Sequence, residues 1–303
     1  MELNDKVVND LINRYKEEID SYGYPENISH LLYLIVPAFI IYYDLDNEKK
    51  ILDTFKNVPI LIQDEQNKYL QASYTSDPYF EEDKVNTRKY IILSYYENIE
   101  LLQLLDNLVH EYNHAINSMI DEIYYDDEVV RLRTGLCFNN YKRSNLEFIS
   151  KDDDYILEEI INTKQTEEVI TIINDLNNYN IEDSSISTTL YNIKTHIGDY
   201  YRSDSYGLGS LLCRELMDNR TFISTLANLR LKGVVNDLDN WFDNITGIEG
   251  SFRELINLLI KSQKLEGEYQ KAFFKRQKLE RIRSVYKDAM VIIDTFNHNS
   301  NYR

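Results

Sequence analysis

The sequence predicts an α+β, predominantly helical chain, and three observations carry that expectation. All four prolines (Pro25, Pro37, Pro59 and Pro78) fall in the first 78 residues, so the remainder can run helix without that breaker. From Tyr155 onward the apolar residues recur mostly at helical spacing. Between residues 59 and 96 lie short runs rich in isoleucine, tyrosine and threonine, residues that suit a pleated, half-buried surface.

Taken in order, the spacing predicts helices over 3–20 and 28–43, then strands over 59–63, 69–74 and 89–96. A strong helix follows over 98–118. Segments 129–138 and 146–149 read as the arms of a hairpin. Helical spacing then covers 155–176, 186–200, 207–217, 220–231, 234–245 and a long segment over 251–294. The composition shifts near residue 120. The expected organisation is a mixed lobe over 1–120, with a small mixed sheet and the strong helix, and a mainly helical lobe over 121–303.

Composition narrows the function. The net charge is −18, from 51 acidic against 33 basic side chains. Such a surface repels phosphate backbones, so no nucleic-acid partner is expected. The basic stretch from Lys271 to Lys287 reads as a helix face on the acidic body or toward solvent. The N-terminus is charged and amphipathic, without the apolar core of a secretory signal. The most apolar run, 31–43, contains Pro37 and is shorter than the ~20 residues of a membrane helix. The expectation is a cytoplasmic chain with no membrane partner. Cys137 and Cys213 read as two buried thiols. No phosphate-cradling loop is present: Gly23 and Gly135 are consecutive glycines, and Gly207-Leu208-Gly209 lacks the third glycine of a dinucleotide fingerprint. The abundance of Tyr, Asn, Ile and Lys resembles proteins of AT-rich bacterial genomes, which bears on codons and not on function.

The chemistry concentrates at His110-Glu111-Tyr112-Asn113-His114. Histidines four apart on a helix stand one turn above the other, so both imidazoles can reach one ion. Glu111 lies about 100° round the helix, beside the position a third-party ligand would take. There its carboxylate can accept a proton from water activated by zinc. Composition alone predicts about 0.01 such matches in a chain of this length. The helix is two-faced: Leu101, Leu104, Leu105, Leu108, Tyr112 and Ile116 form an apolar stripe, opposite Asp106, His110, Glu111, His114 and Asn117. Exposed histidines on a solvated face are the alternative.

These residues resemble the zincin superfamily of zinc metallopeptidases, which carry His-Glu-x-x-His on a helix following a substrate-binding edge strand. The strand over 89–96 followed by the motif helix matches that plan. The metzincin branch is excluded because Asn117 and Ile120 stand where its Gly and third His would. The resemblance is to the gluzincin branch, which takes a glutamate from a second, downstream helix. Within 155–176, Glu159, Asn162, Thr163 and Thr166 line one polar stripe, whereas Glu158 shares its line with Ile161. Glu159 is therefore the expected third ligand, with Glu158 the alternative. By the same analogy Asn162 or Thr163 would steady a histidine ligand. The separation from His114 exceeds that of the best-known gluzincins, and the hairpin over 129–149 would account for the excess.

The resemblance implies one zinc ion per chain on His110, His114 and Glu159, with Glu111 as general base and a peptide or protein as substrate. Tyr206 and His196 are the candidates for the oxyanion donor. Two other readings stay open. One is a zincin-fold protein that binds zinc and a partner without catalysis. The other is a helical interaction protein in which the motif is coincidence.

Overall fold

The structure is a computed structural model that describes residues 3–63, 71–82, 84–96, 99–119, 122–152, 154–198, 213–232, 237–271 and 275–301. It is α+β and predominantly helical, with one small mixed sheet and one small antiparallel sheet. The chain forms two compact units, Met1–Met119 with Asn162–Arg202, and Ile120–Ile161 with Ser203–Arg303. The segment 162–202, which lies beyond the composition shift near residue 120, groups with the N-terminal part.

The first unit is built on α3 (Glu26–Tyr43), whose apolar side chains are buried all round. Pro37 lies inside this continuous helix. Among the described residues α3 alone is long and apolar enough to cross a membrane by length and composition, and it is mostly buried in the protein. Around it pack α1 (Asp5–Arg14), α4 (Glu48–Asn57), α5 (Leu101–Asn117) and α7 (Ser184–His196). The helix expected over 3–20 is broken at Tyr15, which ends α1 before α2 (Lys16–Ser21). The sequence reading missed α4, a short helix whose Phe55 ring stacks on Tyr112 of the motif helix at 4.0 Å between centroids. Such a pair contributes about 0.5–1.5 kcal/mol beyond its burial.

The sheet of this unit orders β1 (Ile60–Gln63), β3 (Lys84–Ser94) and β2 (Ala72–Glu81), with β3 in the middle. β1 runs parallel to β3 and β2 antiparallel to it. This corrects the expectation that the strand immediately before the motif helix is the edge. That strand is central, and β2 is the edge that packs against α5. β2 also runs well past the expected end at residue 74, through Pro78. Tyr74 and Pro78 have the same parity, and the Tyr74 N–H points off the ladder, so proline costs β2 no inter-strand bond.

In the second unit β4 (Ile123–Tyr125), β5 (Val129–Thr134), β6 (Cys137–Lys142) and β7 (Phe148–Lys151) form an antiparallel sheet in sequence order. The single strand expected over 129–138 is two strands, turned at Gly135 with φ +63°. The helical core unites α8 (Arg220–Lys232), α9 (Asp237–Thr246), α10 (Ser251–Lys271) and α11 (Lys275–Ser300) around Phe222, Phe242, Phe252 and Phe296. Phe242 stacks on Phe296 at 4.5 Å. The basic side chains Lys275, Arg276, Arg281, Arg283 and Lys287 are exposed on α11.

One helix, α6 (Tyr155–Asp175), supplies both units, its first turns to the second and the rest to the first. It is buried on most of its circumference: Ile156, Leu157, Ile160, Ile161, Val169 and Ile173 are all under 5% exposed.

Candidate metal centre

α5 forms because leucines at 101, 102, 104, 105 and 108 favour helix and give it a packing face. It ends at Ser118, whose N–H bonds the Ala115 carbonyl at 3.1 Å. Lys89 of β3 donates to the Ser118 carbonyl at 2.9 Å, a cation at the negative end of the helix.

The side of α5 opposite its leucines is not solvated. Glu111 and His114 are buried, Asn113 and Asn117 have no exposure, and His110 is half-buried. That arrangement excludes the picture of two exposed histidines on a wet helix face. The His110 and His114 rings stand 4.9 Å apart between centroids, nearly edge to face.

Two contacts fix the surroundings of the motif. The Tyr74 N–H, on the side of β2 away from β3, donates to Glu111 Oε2 at 2.5 Å. The Asn162 side chain of α6 donates to the His110 carbonyl at 3.0 Å. Glu159 stands three residues before Asn162 on the same uninterrupted helix, so its place follows from that of Asn162. Ligating atoms of His110, His114 and Glu159 all lie within 4.8 Å of one another, and the group could hold a metal ion.

Glu158, the alternative ligand, has a different set of partners. Its carboxylate pairs with Arg230 and accepts from the Leu136 N–H at 2.9 Å, deep in the second unit. Arg230 is wholly buried.

Asn162 does not steady a histidine ring, as the analogy suggested; it bonds the His110 backbone and the Asn113 side chain. Thr166 Oγ1 returns to the Asn162 carbonyl at 2.8 Å within α6. Of the two oxyanion candidates, Tyr206 lies outside the described residues. His196 is exposed at the end of α7, with Nδ1 2.8 Å from the carbonyl of Asn192 on its own helix.

No family model matches the chain, and no curated protein or solved structure is significantly similar to it.

Of the buried amides, the sequence reading gave a role to Asn162 alone. Asn113, Asn117, Asn162 and Gln165 are each fully buried and are joined in one hydrogen-bonded group with Tyr43 of α3. A signal existed: uncharged polar side chains at 113 and 117 on one helix, and at 162, 165 and 166 on the other, share faces at three- and four-residue spacing.

Two imidazoles and one carboxylate are a donor set that suits a divalent transition-metal ion. Neither cysteine belongs to the group.

Proposed function

We propose that the chain is a zinc-dependent peptidase of gluzincin type, with zinc held by His110, His114 and Glu159. The observation that carries this reading is the convergence of those three side chains on one point beside a carboxylate that touches a β-strand edge. Bound zinc supplies Lewis-acid polarisation of a carbonyl and acidification of water. Glu111 is the base that takes the proton from the attacking water and returns it to the leaving amine. The Tyr74 N–H holds Glu111 Oε2 before reaction, which aims the carboxylate without making it a ligand. The partner is a peptide or protein. An extended segment can pair along the outer edge of β2, where Tyr74 already turns its N–H away from β3.

The test is digestion of a broad peptide library by the zinc-loaded chain, read by mass spectrometry, with and without a chelator. Glu111→Gln keeps the size of the side chain and removes the base. Hydrolysis should fall by about 10²–10⁴-fold or more while zinc content stays that of the wild type. Cleavage surviving Glu111→Gln or the chelator would contradict the reading. No cleavage by zinc-loaded wild type would favour a zincin-fold protein that binds zinc and a partner without catalysis.

A further inference from the structure

Asn113 sits between the two histidines of the motif, has no exposure to solvent and uses the full capacity of its amide. Its Nδ2 donates to Asn162 Oδ1 at 2.6 Å and to Gln165 Oε1 at 3.0 Å. Its Oδ1 accepts from Tyr43 at 2.6 Å and from Asn117 Nδ2 at 3.2 Å. An amide offers two donors and two acceptor positions, and all four are engaged. A carboxylate of the same shape would face two carbonyl oxygens with no proton to give. An apolar side chain would drop every bond.

Buried polar groups are costly unless satisfied, and a buried amide with all four positions engaged, as that of Asn113 is, favours one arrangement where apolar packing would tolerate several. Here the arrangement is the register of α5 on α6. Asn113 follows His110 by three residues and precedes His114 by one. Asn162 follows Glu159 by three, and its amide also holds the His110 carbonyl. The network therefore ties the backbone that carries both histidines to the helix that carries the glutamate.

We infer that Asn113 is a positioning residue: with Asn162 it sets the spacing of the three ligands before any metal arrives, without itself touching the ion. The inference rests on the metal reading of the His110, His114 and Glu159 group. Loss of a group that orients metal ligands typically costs 10–100-fold in affinity.

The experiment compares the full chain with Asn113→Ala and with Asn162→Leu, which removes the Asn162 bonds to the Asn113 side chain and to the His110 carbonyl and leaves that of Gln165. Thr54→Val is the control, because Thr54 is equally buried but bonds only within α4, to the Lys50 carbonyl at 2.9 Å. Zinc affinity is read by chelator competition at a temperature where circular dichroism shows each variant folded. Ligand geometry is read from the visible absorption of the cobalt(II)-substituted protein. If Asn113→Ala does not fold, Asn162→Leu decides. The expected result is zinc binding weaker by about 10–100-fold with an altered cobalt spectrum in both Asn variants, and neither change in Thr54→Val. Folded Asn variants with wild-type affinity and an unchanged cobalt spectrum would overturn the inference and leave the metal site standing. A wild-type chain that binds neither zinc nor cobalt would overturn the metal reading, and this inference with it.

Discussion

Glu158 grips the guanidinium of Arg230 in the interior of the second unit, while the next residue, Glu159, joins the histidine pair. Two adjacent glutamates on one helix thus have separate duties, one in holding the fold and one in the metal group. Truncating one partner of a buried ion pair strands the other charge and costs about 3–5 kcal/mol. Glu158→Ala should therefore lose stability on that scale in urea denaturation, yet bind zinc when folded. Glu159→Ala should keep most of its stability and lose zinc. The reverse order would refute the assignment.

Gly135 is held to glycine twice over. Its φ is +63°, and a Cβ there would overlap the Glu158 carboxyl. Gly135→Ala should lower the urea midpoint by the equivalent of more than about 1 kcal/mol. An unchanged midpoint would mean that the turn and Glu158 can move apart freely.

The His110 and His114 pair was legible because a four-residue spacing on a helix is a local, periodic fact. Glu159 was legible for the same reason, since the polar stripe on its helix separates it from Glu158. What stayed hidden was every relation set by distant chain. Arg230, the partner of Glu158, lies in another helix, and nothing in its own surroundings marks it as buried. The bonds that join Asn113 to Tyr43, Asn117, Asn162 and Gln165 depend on α3, α5 and α6 coming together. Strand β2 runs past residue 74 through Pro78, and its place at the edge of the sheet makes that proline harmless. Gly135 was read within a strand because its hairpin is too tight to show in composition.

Asp183 caps α7 by accepting from the N–H groups of Ser185 at 2.9 Å and Ile186 at 3.2 Å, and it pairs with Lys16 of α2. The Lys16 hydrogen bond, with that of Ser185 next, holds its carboxyl well below the usual carboxylate range. A depressed carboxylate contributes stability above its unfolded pKa of about 3.9, and the contribution is lost as pH falls through the folded value. Asp183→Asn keeps a capping oxygen and removes the charge. It should be less stable than wild type near neutral pH, with the difference shrinking below about pH 4. A difference that grows on acidification would contradict this assignment.

Burial pushes the Cys213 thiol up to about 12 and raises that of Cys137, with the Glu158 charge adding to the latter. Both thiols should resist a disulfide reagent in the native protein near neutral pH and react fully in denaturant. Rapid native labelling would mean that these interiors open readily. Because the shifts are upward, their contribution to stability is complete below the unfolded thiol pKa of about 8.5 and is lost as pH rises above it.

A zinc centre of two imidazoles and one carboxylate is open to zinc-edge X-ray absorption on the purified, zinc-loaded chain. The expected result is about one zinc per chain, surrounded only by nitrogen and oxygen at about 2.0–2.2 Å, with the imidazole signature lost in His110→Ala/His114→Ala. Sulfur at about 2.3 Å, or full zinc occupancy in the double variant, would contradict it.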